Sequence, residues 1–344
     1  MKFDFCVGNP PYQDQSVGDN ETFAPPVYNK FMDAAYQVAD KVELIHPARF
    51  LFNAGSTPKP WNKKMLSDKH FKVLEYNPDS KSVFANTEIK GGIAITYHDS
   101  NSDFGGIGTF TPYEELNSIL HKVRGAQSFV TFRDTVITRT AYRLTDKLHS
   151  DHPEAITQLS NGHAYDMSTN IFDRIPQVFF SYKPNDGLEY IRIFGRENNE
   201  RTYKWIRRDY VNKVINLDKY KVFMPSANGN GTFGELLSNP VLSEPGTGAT
   251  ETFISIGICD EEYQAKNILK YIKTKFVRSL LGVLKITQHI TPEKWEYVPL
   301  QDFTNQSDID WNKSVAEIDQ YLYEKYGLTK QEMEFIENNV KEMD

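Results

Sequence analysis

The sequence predicts an α/β sheet over residues 1–110 and an α+β region after it. Three observations lead there. First, the apolar strand Phe3-Asp4-Phe5-Cys6-Val7 is followed by a helical pattern and then by a second strand, Lys41-Val42-Glu43-Leu44-Ile45-His46-Pro47; strand, helix, strand is the crossover unit of a parallel sheet. Second, 344 residues at 39% hydrophobic and 25% charged suit two soluble domains better than one. Third, the pattern changes near Thr111, from where short strands separated by turn residues dominate.

The chain carries a net charge of −7, which excludes a uniformly basic nucleic-acid coat. The charge is uneven. Residues 306–344 are acidic, while Lys266, Lys270, Lys273, Lys275, Arg278 and Lys285 occupy a stretch with no acid. No run is apolar enough to cross a bilayer, and Met1-Lys2-Phe3-Asp4 passes straight into a strand with no signal peptide, so no membrane association and a cytoplasmic location are expected. Cys6 and Cys259 are the two cysteines, too few for a disulfide framework or a cysteine metal site.

Directly after the first strand stands Gly8-Asn9-Pro10-Pro11-Tyr12. Two prolines fix φ and remove two backbone donors, and Pro10 forces Asn9 to be extended. The product is a stiff polar hook with an aromatic tip. The Asn9 side-chain oxygen and the Pro10 carbonyl can both accept from an amino group while Tyr12 covers a ring face, which suits an adenine flipped from DNA. Pro-Pro-Tyr also occurs in ligands of domains that read polyproline helices, and Asn-Pro-Pro can be a plain turn; neither accounts for the preceding strand. Strand plus Asn-Pro-Pro-aromatic resembles the catalytic motif of DNA adenine-N6 methyltransferases of restriction-modification systems, in the TaqI-like arrangement. The resemblance implies a partial Rossmann-like methyltransferase sheet, with Asn9, Pro10, Pro11 and Tyr12 as catalytic residues.

After the hook, residues 13–21 read as a polar loop, and Pro25-Pro26 opens a helix with Val27, Phe31, Ala34, Ala35 and Val38 on one face. Pro47-Ala48-Arg49-Phe50-Leu51 follows the second strand, where loops at carboxyl ends of parallel strands meet ligands, so Arg49 is a candidate phosphate contact. A helix over Trp61–Leu66 and strands over Phe71–Tyr76 and Gly92–Tyr97 complete the unit. Ser82-Val83-Phe84 before the last strand again resembles the family, which implies that Phe84 stacks on the flipped base opposite Tyr12; a core phenylalanine is the competing reading.

Two further patterns lie here. Pro78-Asp79 with Glu88-Ile89-Lys90 spells the metal pattern of many restriction nucleases, an alternative in which Asp79 and Glu88 would hold Mg²⁺ and Lys90 would assist water. Phe104-Gly105-Gly106-Ile107-Gly108 spells a turn used to bind S-adenosylmethionine, but a polar loop rather than a strand precedes it, so it reads as a linker. The cofactor S-adenosylmethionine is thus implied by the resemblance while its main binding motif is absent, and the reading requires the cofactor-binding half on a separate chain or makes this a truncated product. No metal is expected for methyl transfer.

Residues 111–305 read as a DNA target-recognition domain. Tyr113–Val123 is an amphipathic helix; Phe129–Phe132, Val136-Ile137, Gln177–Tyr182, Tyr190–Phe194, Tyr220–Pro225 and Thr252–Gly257 read as strands. Arg192, Arg196, Arg201, Lys204, Arg207 and Arg208 interleave with Tyr203, Trp205 and Tyr210, a mixture suited to double-stranded DNA, or else a charged strand edge. Asn228 and Asn230 in a glycine-rich loop are further DNA-contact candidates. One helix is expected over 266–285, with Ile268, Ile272, Phe276, Leu280 and Leu284 inward and lysines opposite. Trp295–Leu300 and Asp308-Ile309-Asp310-Trp311 resemble the carboxyl-terminal part of the same methylases. Residues 306–344 form a helical tail, with a capping box at Thr329 and Glu332.

The function that follows is methylation of adenine N6 in DNA. The alternatives are a non-catalytic DNA-specificity subunit and a Mg²⁺-dependent restriction endonuclease, with a nuclease or motor as a possible partner chain.

Overall fold

A computed structural model describes residues 3–14, 24–53, 55–84, 89, 91–229, 231–285 and 288–343. The chain divides into two compact units, 1–117 and 118–344. No helix among the described residues is long and apolar enough to cross a membrane.

Among the described residues the first unit forms a four-stranded sheet with two helices. Its elements are β1 (Phe3–Gly8), α1 (Tyr28–Val38), β2 (Ala39–Pro47), α2 (Lys59–Ser67), β3 (Phe71–Asn77) and β4 (Ile93–Asp99). Spatial order is β1-β2-β4-β3. β1 runs parallel to β2, Phe5 facing Lys41 and Gly8 facing Leu44, while β4 is antiparallel to both β2 and β3. The expected crossover is therefore present. Tyr28, Met32 and Ala35 of α1 and Trp61, Met65 and Leu66 of α2 share one core with Val42, Leu44, Phe71 and Ala94 of the sheet, and Cys6 packs against it.

The buried face of α1 differs from the expected one. Phe31 and Val38 are exposed, and Tyr28, Asn29, Met32 and Ala35 are buried. Met32 and Ala35, at i and i+3 from each other, share one helix surface with Tyr28 at i−4, and the ring of Tyr28 stacks on His46 at 5.8 Å. Along β1, residues alternate between faces. Cys6 joins the core while Phe3, Phe5 and Val7 remain 66%, 56% and 71% exposed.

The second unit begins with α3 (Glu114–Gly125), which straddles the boundary, and β5 (Val136–Ile137). The short helices α4 (Asp146–Asp151), α5 (Ala155–Gln158) and α6 (Ile171–Arg174) lead to the hairpin β6 (Tyr190–Glu197) and β7 (Glu200–Arg207). Then come β8 (Tyr220–Pro225), β9 (Val241–Ser243), β10 (Thr247–Ala249), β11 (Phe253–Cys259), α7 (Glu262–Lys273), α8 (Lys275–Leu284), α9 (Val315–Lys325) and α10 (Lys330–Asn339). Two sheets result, β10-β6-β7 and β5-β11-β8-β9. Helices α9 and α10 bury Ile318, Leu322, Tyr323 and Ile336 in the core that also holds Ile268, Phe276 and Trp295.

Three expected elements change. Residues 129–132 make only the single bridge Thr131–Pro299 before a 3₁₀ turn, and 177–182 only the bridge Phe180–Trp205 after another. Pro176 at the start of that second turn fixes φ for a turn and withholds a ladder donor. The single helix over 266–285 is two helices broken at Thr274, whose hydroxyl accepts from Val277 N to cap α8. Asp319 reinforces the break by accepting from Lys275 N and Phe276 N, both at 2.8 Å. Nor do the cations all face water: Arg278 and Lys285 are buried, the latter in an ion pair with Glu235. The capping box at Thr329 and Glu332 is present.

Candidate functional site

The site lies where the carboxyl ends of the two parallel strands meet the amino end of β4. β1 ends at Gly8 and delivers Asn9-Pro10-Pro11-Tyr12 there. The hook is anchored behind its tip: Val27 N donates to Tyr12 O at 3.1 Å and Asp14 N to Pro25 O at 2.9 Å, with a bridge between Gln13 and Pro26. Asn9 is exposed and Tyr12 half-buried. Burial raises the Tyr12 pKa, and the Asn9 amide beside it offsets part of that rise. The polar loop expected at 13–21 lies largely outside the described residues.

β2 ends at Pro47, and Arg49 opens a 3₁₀ turn, Arg49–Phe52. Its side chain is exposed and makes no ion pair among the described residues. The stem runs beside two glycines with left-handed backbones, Gly55 (φ 84°) and Gly91 (φ 89°); a Cβ on Gly91 would come within 2.5 Å of Arg49 Cγ. Gly92 (φ 75°) is tighter, since its Cβ would sit 2.3 Å from the Asn77 carbonyl oxygen. Ala48 N donates to Gly92 O at 3.0 Å, tying the Arg49 turn to the entrance of β4.

Phe84 is brought to Tyr12. The ring centroids are 6.4 Å apart and the planes 67° from parallel, an edge-on contact. A base sandwiched between the two rings requires parallel faces about 7 Å apart, two stacking distances, so one ring must turn to admit it.

Behind this end, His46 is fully buried with Nε2 2.7 Å from Thr96 Oγ1 and Nδ1 3.2 Å from Pro47 O. Nδ1 donates to the carbonyl and Nε2 accepts from the threonine, which holds the ring neutral; burial depresses its pKa to about 4. Tyr28, stacked on it, has its pKa raised to about 12, chiefly by burial, with the Arg49 charge acting the other way. Asn29, also buried, has no hydrogen-bond donor at its Oδ1 among the described residues. The hydrophobic pattern carried no signal for His46, Asn29 or the glycines beside Arg49.

The nuclease pattern is only partly within view: Glu88 and Lys90 lie outside the described residues. Asp79 accepts from Lys81 N at 3.1 Å, capping a turn. Among the described residues no group of three or more His, Cys, Asp or Glu is placed to hold a metal. The residues 104–108 form a loop after β4, and Gly106 lies against the Ser67 backbone at the end of α2. They do not open a helix, so they do not fit the S-adenosylmethionine cradle.

In the second unit the six basic candidates divide by partner. Arg192 pairs with Glu244 at 2.7 Å and lies over the rings of Tyr203 and Trp205; Lys204 pairs with Glu197 at 3.0 Å. Arg207 bridges Asp151 and Asp209, and Arg208 holds Asp218. Arg201 donates to Asn239 O at 2.7 Å, and Arg196 is exposed with no ion pair among the described residues. Asn228 is buried: its amide donates to Leu236 O at 2.7 Å and its oxygen accepts from Ser238. Asn230 lies outside the described residues.

The first unit is similar in sequence to restriction-modification methylases. Residues 1–84 match the family of Eco57I restriction-modification methylases. The chain is also 32% identical over 103 residues to an uncharacterized adenine-specific methylase of Mycoplasma pneumoniae, a match covering 29% of this chain and 24% of that protein. The type IIG restriction endonuclease BpuSI aligns at TM-score 0.33 and 9% identity over 91% of this chain and 48% of its own, and the type IIL restriction-modification enzyme MmeI, solved with DNA, at TM-score 0.32 and 10% identity over 97% and 56%. This chain thus spans about a quarter of the methylase it matches in sequence and about half of each of these structures.

Proposed function

We propose that this chain is the target-holding part of a DNA adenine-N6 methyltransferase of a restriction-modification system. The observation that carries this reading is the Asn9–Tyr12 hook at the end of a parallel strand, with Phe84 beside it, inside the segment that matches restriction-modification methylases. A flipped adenine would present its amino group to Asn9 Oδ1 and the Pro10 carbonyl. Two accepted N–H bonds pull the nitrogen lone pair out of conjugation with the ring, toward sp³ character, which makes the nitrogen nucleophilic without a strong base. Tyr12 and Phe84 would cover the ring, and Arg49 would take a neighbouring phosphate. Residues 111–305 would read the duplex.

S-adenosylmethionine would be held by a further sheet half, on this polypeptide or another, next to β1. In support, β1 pairs only with β2 among the described residues and exposes Phe3, Phe5 and Val7, a row that an added half would cover. A cytoplasmic location fits this role. In the assembly that contains both halves, Asn9→Ala is expected to lower methyl transfer to DNA at least about a hundredfold, the scale of losing a positioned polar contact in the transition state; unchanged transfer would overturn the reading.

A second reading, a DNA-specificity subunit without catalysis, is favoured by the failure of residues 104–108 to form a cofactor turn. Tight S-adenosylmethionine binding by this chain alone would exclude it.

A further inference from the structure

We infer that Arg196 and Arg201 together form a clamp for one DNA backbone phosphate, distinct from the other four basic candidates of the hairpin stretch. This rests on the proposal that the unit binds DNA and narrows it to one rung of one hairpin.

β6 and β7 pair in an antiparallel register that sets Tyr190 opposite Arg207, Arg192 opposite Trp205, Phe194 opposite Tyr203 and Arg196 opposite Arg201. All eight residues share one sheet face, because alternate positions along each strand do. Along this ladder two rungs pair a cation with an aromatic ring and one pairs two rings. The last sets two arginines opposite each other. Like charges directly opposite on a sheet are destabilising.

Among the described residues no carboxylate pairs with this rung. Glu197 and Glu200, the next pair, alternate to the other face, where Glu197 is engaged by Lys204. Arg201 is fixed by a neutral acceptor, Asn239 O, and lies over the Phe253 ring at 5.7 Å. Arg196 has no hydrogen bond or ion pair among the described residues. Partial burial, then the Arg196 charge, lowers the Arg201 pKa, as expected of a cation that lacks its counterion.

The rung is also held in place. Asn198 and Asn199 both take left-handed backbones (φ 50° and 64°), the requirement of a tight two-residue hairpin turn. Two guanidinium forks on a rigid hairpin, one of them oriented by a carbonyl and a ring, match a doubly coordinated phosphodiester oxygen pair. The remaining four cations of the stretch would have to break existing carboxylate pairs to do the same.

The test is duplex binding by the whole chain, read by fluorescence anisotropy across a salt series, for the unaltered protein, Arg196→Ala, Arg196→Glu and Arg208→Ala. Loss of one phosphate contact should weaken binding about fivefold to tenfold near 0.1 M salt and reduce the slope of log K against log salt by about 0.9. Arg208→Ala should stay within about twofold. Arg196→Glu should weaken binding further yet melt no lower than the unaltered protein, because it gives Arg201 an ion-pair partner; that combination separates a binding role from a structural one. An unchanged slope for Arg196→Ala in a chain that binds DNA would overturn the clamp and leave the DNA reading intact. No binding by the unaltered chain would overturn the DNA reading itself. Inorganic phosphate competing beyond its ionic strength with the unaltered chain, and less with Arg196→Ala, is the further result the clamp predicts; equal competition in both would overturn it.

Discussion

The hook end of the first unit and the hairpin of the second were equally rich in polar signals, yet they are built on opposite terms. At the hook, the polar groups lack charged partners: Asn9 is exposed beside Tyr12, and among the described residues Arg49 has no ion pair and the buried Asn29 Oδ1 has no donor. On the hairpin, four of six cations are already neutralised by carboxylates. A count of arginines therefore overstates the charge that a ligand can meet. What matters is which of them the fold leaves without a partner.

The contrast can be strained from the hook side most severely at Gly92. Its left-handed backbone and the 2.3 Å approach of a Cβ to Asn77 O leave no room for alanine. Gly92→Ala is expected to destabilise the first unit by about 3 kcal/mol. Calorimetry should show the first unit melting earlier, since among the described residues its core draws only on residues of that unit. A first unit that melts no earlier would contradict this.

Acid should also act on the first unit, through His46. Its folded pKa, about 4, lies below the ordinary histidine value. The unfolded chain then binds a proton that the folded chain refuses, so this contribution to stability is full above pH 6.5 and is lost as pH falls from there toward 4. The loss is on the order of 2–3 kcal/mol by pH 4.5. His46→Gln should flatten the dependence in urea melts taken across that range; an equally steep dependence in the variant would place its origin elsewhere.

The smallest effect is expected on the hairpin. Arg208→Ala removes a half-exposed pair with Asp218 and should change stability by less than about 1 kcal/mol, as exposed ion pairs do. A larger loss in thermal melting would mean that the paired cations are structural in a stronger sense than the contrast holds.

How legible this was depended on the kind of signal. The hook, the parallel crossover and the strand positions of the first unit could be read because prolines, β-branched runs and the helix between them constrain the chain locally. The face of α1 could not, since Phe31 and Tyr28 look alike in an apolar pattern and only the stacking of Tyr28 on His46 separates them. The break at Thr274 needed Asp319, 45 residues away in the chain, to accept both α8 backbone donors. Among the DNA candidates, Asn228 lies in a glycine-rich setting that suits a ligand, but the fold spends its amide on the loop itself. Gly92, expected to open the last strand of the first unit, instead takes a left-handed backbone, and β4 begins one residue later at Ile93.

The most direct test of the account is the identity of the methylated base. DNA from cells that express this chain together with the proposed cofactor-binding half should be digested to nucleosides and analysed by mass spectrometry. The account predicts N6-methyladenine with the unaltered chain and its loss with Asn9→Ala. A methylated cytosine as the product, or N6-methyladenine persisting undiminished in the Asn9→Ala strain, would contradict it.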